Sequence, residues 1–270
     1  MWDVEVGGVG VYPGAALMAD DISQLYGHHG NEPHAFDVVN AREGESLSFA
    51  RAGDPQILDL FAVNYLIVPA GSAPDSLPGF RRTLTNVATS AGAAATLFER
   101  EPPIPYARFI PAAAVPASVS QIASTVVDPH FAVDRVVLLD SALGVRRGAI
   151  PNPLPPASKL AVIVGDWKPG SMRIRLGGGA PSTGYLLVSE NWDAEWAATV
   201  DGRPARVLRG DGTLITVPVP VGAREVALGY EGRTYARGRA VTLAALGVVA
   251  CGVVLPPAFR RRRTTHATSS

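Results

Sequence analysis

The sequence predicts an α+β protein, with a small mixed α/β region followed by an antiparallel β-sandwich and one C-terminal transmembrane helix. Between residues 185 and 230, short runs such as Trp196–Val200 alternate side chains in the way typical of strands with one face on a core. Turn signals such as Asp201-Gly202 recur about every ten residues, the spacing typical of an antiparallel sandwich. Shortly afterwards comes the uncharged stretch 240–259.

Composition restricts the class of protein. Of the 270 residues, 47% are apolar and 18% are charged, which suits a chain partly embedded in a membrane. The formal net charge is zero, so nothing favours a nucleic acid as partner. The 28 glycines and 23 prolines favour strands and loops over a helix bundle. Because Cys251 is the single cysteine, neither an intrachain disulfide nor a cysteine-based zinc site is expected.

The predicted organisation has five parts, and the four prolines in residues 151–156 indicate a linker near the middle. The parts are a mixed α+β extracytoplasmic region at 1–150, a proline-rich linker at 151–157, an antiparallel β-sandwich at 158–235, a transmembrane helix at 240–259 and a basic cytoplasmic tail at 260–270. The elements expected before the sandwich are a hairpin at 4–11, helical segments at 32–40, 56–61 and 118–125, and strands at 63–68, 93–98, 108–114 and 135–139. Strands at 160–164 and 172–176 are expected to begin the sandwich.

The stretch 240–259 has the 20 residues that a helix needs to cross the hydrocarbon core of a bilayer. Four arginines at 260–263 follow it and outnumber Arg233, Arg237 and Arg239 before it. The positive-inside rule therefore predicts a cytoplasmic tail, with the bulk of the chain outside the cell. A buried core helix is the alternative, but such a helix is not expected to be apolar all round and then adjoin four arginines.

The start of the sequence conflicts with that topology. The first residues lack the basic segment and apolar core of a signal peptide. A single C-terminal span without a signal peptide leaves the preceding chain in the cytoplasm. We therefore expect this chain to be the C-terminal piece of a longer protein with earlier spans. A tail-anchored cytoplasmic protein is the alternative.

Several runs together resemble one family. Their order is YGHHGNEPHAFDVVN, ILDLFAVNYLIVP, REPPIPYARFIPAAAV (which contains Pro105-Tyr106-Ala107-Arg108), and then the strand-rich run with Trp196 and Asp201-Gly202. An apolar segment closes the series. This order is similar to that of the C-terminal part of YfhO-type bacterial membrane proteins, which resemble multi-spanning glycosyltransferases of the GT-C class. The resemblance covers residues 20 to 255.

The resemblance implies sugar transfer from a lipid-linked donor to a cell-envelope acceptor, with the membrane bilayer and a lipid-linked sugar or envelope glycan as partners. The acidic residues that perform this chemistry in the family lie between N-terminal membrane helices that this chain lacks. We therefore expect an accessory extracytoplasmic role without catalysis by this chain, and no cofactor. The alternative is a non-enzymatic membrane-anchored scaffold or a glycan-binding or interaction domain.

One group of candidate substrate-binding residues lies in the histidine-rich stretch. His28, His29 and His34 lie near acidic residues, and imidazoles with carboxylates are metal ligands. Their spacing matches no strong zinc signature, so no metal site is predicted. We expect instead a loop in which His28, His29 and Asn31 contact substrate or backbone.

The second group consists of Trp192 and Trp196, which flank Asp193 and Glu195. Aromatic faces beside carboxylates suit sugar rings, although tryptophans in a sandwich are commonly core or edge packing. A carboxylate pair, Glu190 with Glu195 or Asp201 with Asp211, raises the possibility of a free-standing glycosidase. Asp201 and Asp211 lie in turns, where aspartate forms local hydrogen bonds, and for this pair the structural interpretation is preferred over a catalytic one.

Overall fold

The computed structural model describes residues 2–3, 39, 54–88, 94–116, 118–141 and 148–254. It confirms a mixed α+β fold with mostly antiparallel sheets and few helices. The chain divides into two compact units, Met1–Gly229 and Tyr230–Ser270.

The strands are short, and most are separated by tight turns. In chain order they are β1 (Trp2–Asp3), β2 (Tyr65–Pro69), β3 (Phe80–Ala88), β4 (Ala94–Arg100), β5 (Ala107–Ile110), β6 (Ala112–Ala114), β7 (Val136–Leu138), β8 (Val162–Lys168), β9 (Ser171–Leu176), β10 (Gly184–Asn191), β11 (Trp196–Val200), β12 (Arg203–Ala205), β13 (Leu208–Gly210), β14 (Leu214–Val219) and β15 (Glu225–Tyr230). The α-helices with described bounds are α1 (Pro55–Leu60), α2 (Val119–Val126) and α3 (Arg233–Val254), and a 3-10 turn covers Ala70–Ser72.

Four sheets arrange these strands. The N-terminal sheet has the order β1-β2-β4-β3, the central sheet β13-β14-β10-β5, and the C-terminal sheet β12-β11-β15-β9-β8. The fourth sheet is the pair β6-β7, which runs parallel. Strand β5, from the region before the proline-rich linker, pairs with β10 after it. The linker therefore does not divide the sheets, and residues on both sides of it build the central one.

The central and C-terminal sheets pack face to face as an antiparallel sandwich. Side chains from both sheets form one buried cluster, here called the sandwich core. Its members include Phe109, Leu186 and Val217 from the central sheet and Ile174 and Val226 from the C-terminal sheet. Burial of two interdigitated apolar faces is the main favourable free-energy term available to such a fold.

The other face of the central sheet contributes to a second cluster, here called the N-terminal core. It combines Leu187 of β10 with Ile57 and Leu60 of α1, Ile122 of α2 and Phe98 of β4. The central sheet thus has a core on each face, which explains the high burial of β14, where five of six residues are buried.

The predicted turns have the backbone geometry that their residues favour. In the β11–β12 hairpin, Asp201 and Gly202 have φ values of 48° and 75°. In the β13–β14 hairpin, Asp211 and Gly212 have φ values of 49° and 88°. Aspartate and glycine are among the residues that adopt these left-handed values most readily, so the Asp-Gly signal was a sound predictor.

Most of the predicted elements agree with the structure within a few residues. Strands expected at 63–68, 93–98 and 135–139 correspond to β2, β4 and β7, and the expected helix at 118–125 corresponds to α2. Ser118 caps this helix, because its hydroxyl oxygen accepts from the backbone N–H of Gln121. The single strand expected at 108–114 is instead two strands, β5 and β6, in different sheets. The hairpin at 4–11 and almost all of the helix at 32–40 lie outside the described residues.

The second unit contains the helix α3, and here the structure does not support the predicted transmembrane helix at 240–259. Among the described residues, no helix combines the length and the apolar composition needed to span a bilayer. The helix begins at Arg233 and includes Arg237 and Arg239, so its first turns are basic. Residues 255–259 of the predicted span lie outside the described part of the chain.

Candidate functional site

Both candidate tryptophans lie where the chain passes from the central sheet to the C-terminal sheet. Trp192 directly follows β10 and Trp196 begins β11. The backbone N–H of Trp192 donates to the carbonyl oxygen of Thr213, with an N···O distance of 2.6 Å. Both indoles are half-buried and pack against the sandwich core. The structure therefore places both side chains at one end of the sandwich, with part of each ring contributing to its packing.

An arginine covers the ring of Trp192. The guanidinium carbon of Arg209 lies 5.2 Å from the ring centroid, within the range of a cation–π interaction. Arg209 also forms an ion pair with Asp140, whose side chain is buried. Because this arginine is held by Asp140, the ring face that it covers is not free to stack on a sugar. The indole Nε1 of Trp192 is buried and has no hydrogen-bond partner among the described residues.

A tyrosine–glutamate pair lies at the same end of the sandwich. The hydroxyl of Tyr106 donates to Oε2 of Glu190 at 2.6 Å, and Trp167 of β8 also hydrogen-bonds to Tyr106. Burial is the main cause that raises the pKa of Tyr106, and the charge of Glu190 adds to it. Burial also raises the pKa of Glu190, although the bond from Tyr106 opposes that shift. This polar network links the central and C-terminal sheets.

The chemistry of this pair is limited by its surroundings. A raised carboxyl pKa suits a general acid, but a glycosidase needs a second carboxylate across the scissile bond. Glu195, the partner considered from the sequence, lies in the turn before β11, where its backbone N–H donates to Asp193. The short bond between Tyr106 and Glu190 and their packing between the sheets indicate a cross-sheet connection.

A second buried polar group lies on the opposite face of the central sheet. The guanidinium of Arg108 donates to the carbonyl oxygens of Asp59 at 3.1 Å and Leu60 at 2.8 Å. These carbonyls belong to the C-terminal turn of α1, where a cation is favourable at the negative end of the helix dipole, and the Asp59 carbonyl also accepts from the N–H of Ala62 at 3.2 Å. Arg108 therefore fixes α1 against the central sheet.

Asp211 stands in the turn of the β13–β14 hairpin and is fully buried. Its Oδ1 accepts from the backbone N–H of Leu138 at 2.8 Å, and its own N–H donates to the carbonyl oxygen of Leu138, also at 2.8 Å. Burial raises the pKa of Asp211 to about 7, although the Leu138 bond and the charge of Arg108 oppose the shift. The carboxylate clamps β7 onto the hairpin.

Asp201 has a comparable structural role at the surface. Its Oδ1 accepts from the backbone N–H groups of Arg224 and Glu225 at 3.0 and 2.9 Å. The preference for turn aspartates over a catalytic pair is therefore supported. Their hydrogen bonds are not local, however: they reach segments more than 20 residues away, because hairpin tips here lie against neighbouring strands.

The histidine-rich candidates cannot be placed, because His28, His29 and Asn31 lie outside the described residues. Within the described ranges, no group of three or more His, Cys, Asp or Glu side chains is arranged to hold a metal ion.

Sequence reasoning missed Tyr106 and Arg108 as structurally important residues. Both stand in the run Pro105-Tyr106-Ala107-Arg108, which was noted solely for its family resemblance. A signal was present, since Arg108 alternates with the buried Ala107 and Phe109 in a short strand and therefore needs a polar partner on the other face.

The fold and these contacts define an α+β protein with a β-sandwich whose buried polar groups connect its layers. No protein-family model, no curated protein and no solved structure matches this chain. The resemblance to YfhO-type proteins therefore stays a prediction.

Proposed function

We propose that this chain is the extracytoplasmic accessory part of a YfhO-like integral membrane protein, supporting sugar transfer from a lipid-linked donor to a cell-envelope acceptor without performing the chemistry. The observation that carries the proposal is the exposure of apolar side chains around α3. All side chains described in this helix, from Arg233 to Cys251, are exposed.

The apolar residues of α3 are distributed around the whole helix. Val241, Leu243, Leu246 and Val248 are 69%, 57%, 59% and 74% exposed. At about 100° per residue, Val241 and Val248 share one side of the helix, whereas Leu243 and Leu246 lie on the opposite side. A surface helix of a water-soluble domain is apolar on one face, so a helix that is apolar all round favours an apolar environment on all sides. A membrane supplies such an environment, and the sequence continues without charge to residue 259.

The polar contacts of the first unit support an accessory role. Glu190 accepts from Tyr106, Asp211 accepts from Leu138, and Arg108 donates to two helix carbonyls. Each of these three ionisable side chains therefore makes a connection between layers. Among the candidates that lie within the described residues, Trp196 at the end of the sandwich is the one left for contact with a glycan, since its side chain is partly exposed.

Membrane attachment is tested by fractionating bacterial cells that produce the full chain. We expect the chain in the membrane fraction after an alkaline carbonate wash. Because a single C-terminal span does not export the chain before it, the protease test uses the chain produced from its own gene context, where protease added to intact spheroplasts is expected to digest the first unit. The double variant Leu243→Arg/Val248→Arg introduces two charges into the helix. Inserting an arginine at the centre of a membrane helix costs about 2.5–3.5 kcal/mol, so this variant is expected to be released from the membrane.

The matched control is Ile163→Arg with Val221→Arg, two apolar positions of the sandwich that are exposed to a similar degree, at 51% and 65%. This variant is expected to stay in the membrane fraction. Release of the unsubstituted chain by carbonate, or protection of the first unit from external protease, contradicts the proposal.

The second candidate function is a membrane-anchored scaffold, and the edge strand β3 is the observation that favours it. Among the described residues, β3 pairs on one side alone, with β4, and it exposes Leu84 and Val87 at 50% and 43%. An exposed apolar edge is a site for strand addition by a partner. Two results together favour the scaffold. The Leu84→Lys variant no longer co-purifies with an envelope protein that binds the unsubstituted chain, and cells with the Trp196→Ala variant keep their normal glycan content.

A further inference from the structure

The charges of α3 are separated along the helix axis and not around it. Arg233, Arg237 and Arg239 lie in the first seven residues, and the remaining residues from 240 to 254 carry no charge. A helix that lies flat on a membrane instead carries its basic residues along one face and its apolar residues along the other. The axial separation in α3 fits a helix that enters a bilayer end-on, with its basic turns at the surface.

The side chains of the basic turns point to more than one side of the helix. Arg233 and Arg237 are four residues apart and share one side, whereas Tyr235 and Arg239, also four apart, share a different side. Tyr235 is 76% exposed, and tyrosine is enriched at the level of lipid headgroups. The first two turns of α3 therefore present cations and an aromatic hydroxyl in several directions at once.

Within the described part of the chain, these cations have few partners. Arg233 forms an ion pair with Glu231. Among the described residues, neither Arg237 nor Arg239 has a hydrogen-bond or ion-pair partner, and both are exposed. Two unpaired guanidinium groups beside an apolar segment are complementary to phosphate groups, which arginine binds through its planar fork of N–H donors.

We propose that Arg237 and Arg239 bind the headgroup phosphates of anionic phospholipids at the surface of the membrane that α3 enters. This inference rests on the membrane attachment proposed above and adds a partner of defined chemistry to it. It also sets the depth of the helix. Cys251 is twelve residues beyond Arg239, so it lies about 18 Å further along the axis, inside the hydrocarbon region.

The sole cysteine of the chain provides the measurement. The full chain is labelled at Cys251 with an environment-sensitive fluorophore and titrated with vesicles of phosphatidylcholine, with or without one third phosphatidylglycerol. Residues 260–263 are changed to glutamine throughout, so that the C-terminal arginines do not contribute. We expect the label to enter an apolar environment in both vesicles, at lower lipid concentration when phosphatidylglycerol is present.

The test variant is Arg237→Gln with Arg239→Gln. Each basic residue near an anionic surface contributes about 1 kcal/mol, so the half-point for phosphatidylglycerol vesicles is expected to rise about 30-fold. The half-point for pure phosphatidylcholine is expected to change little. The control with the same net charge is Arg203→Gln with Arg224→Gln, two exposed arginines of the sandwich, which is expected to behave as the parent.

The outcomes separate the two proposals. If the label stays in water with every vesicle, membrane attachment fails, and the lipid inference fails with it. If the label enters both vesicles equally well, or if the Arg237→Gln/Arg239→Gln protein keeps the preference for phosphatidylglycerol, the inference is overturned while membrane attachment stands. Equal losses in the test and control variants also overturn it, since they show an effect of net charge alone.

Discussion

The two faces of the central sheet are built from the same strands but differ in chemistry. Towards the C-terminal sheet, Phe109, Leu186 and Val217 meet apolar partners. Towards the N-terminal core, the alternate residues of the same strands include Arg108 and Thr216, which lie on either side of Leu187 in the register. One face supplies apolar burial, whereas the other fixes how distant segments attach to the sheet.

The difference between the two faces shows that buried polar groups fix the relative position of the layers, because their hydrogen bonds are directional. An apolar face tolerates small slips, because dispersion and burial have little direction. A guanidinium on two helix carbonyls and a carboxylate on one strand N–H are directional, and a buried group that loses its partner costs about 1–3 kcal/mol. The polar face should therefore respond to pH and to isosteric changes, and the apolar face to changes in volume.

The largest expected effect is a pH dependence that arises from Asp211. Its pKa of about 7 in the folded protein lies above its ordinary value of 3.8, so the folded state binds this proton more tightly than the unfolded state. The stabilisation is complete below pH 3.8 and is lost as the pH rises through 7, by at most about 4 kcal/mol. Asparagine tolerates the left-handed φ and keeps an oxygen for Leu138, so Asp211→Asn should remove this slope.

The measurement is urea unfolding of the full chain in mild detergent between pH 4 and pH 8, followed by tryptophan fluorescence. The control is Asp201→Asn, an exposed turn position with nearly the same φ that leaves the Asp211 carboxyl in place. If the Asp211→Asn protein loses stability with rising pH as steeply as the unsubstituted chain, this account of the polar face is contradicted.

On the apolar face, Leu186→Ala is expected to lower the free energy of unfolding by about 3 kcal/mol. Leu186 is fully buried in the sandwich core, and such a truncation combines lost burial with a cavity. No titratable group is changed, so the loss should be the same at pH 5 and pH 8. A loss that varies between these pH values shows that the two faces are coupled through the sheet.

At the end of the sandwich, Tyr106→Phe is expected to cost about 2 kcal/mol, because it removes the donor to the half-buried Glu190. Since the Tyr106 bond lowers the pKa of Glu190, its loss should raise that pKa further. Thermal unfolding of the full chain measures the stability change. The control is Tyr65→Phe, whose hydroxyl donates to Glu99 at 3.3 Å at an exposed site, with an expected cost below about 0.5 kcal/mol. Equal costs at both sites mean that burial adds nothing to the Tyr106 bond.

The strands and turns of the sandwich were predictable because their signals are local. Period-two alternation identified Trp196–Val200, and Asp201-Gly202 supplied the positive φ of the hairpin. Strand β3 was missed because it is an exposed edge strand that carries little apolar alternation, with seven of its nine residues exposed and five of those polar or small.

The buried contacts were not predictable, because they join residues far apart in the sequence. Tyr106 and Glu190 are 84 residues apart, and Asp211 and Leu138 are 73 apart. Sequence alone gives the chemistry of each residue but not its partner. For the same reason Trp192 was left open between sugar contact and packing, and the guanidinium of Arg209 over its ring emerged from the structure.

The smallest expected effect is a difference in stability between valine substitutions at two buried threonines of the same hairpin. The hydroxyl of Thr213 donates to Oδ1 of Asn191 at 2.9 Å, whereas the hydroxyl of Thr216 has no partner among the described residues. Valine has nearly the same shape, so Thr213→Val should cost about 1 kcal/mol, while Thr216→Val should be neutral or stabilise by up to about 1 kcal/mol. Urea unfolding of both variants side by side gives the difference. An equal cost for Thr216→Val means that its hydroxyl is satisfied, as by a buried water, and that the polar face is then fully hydrogen-bonded at this position.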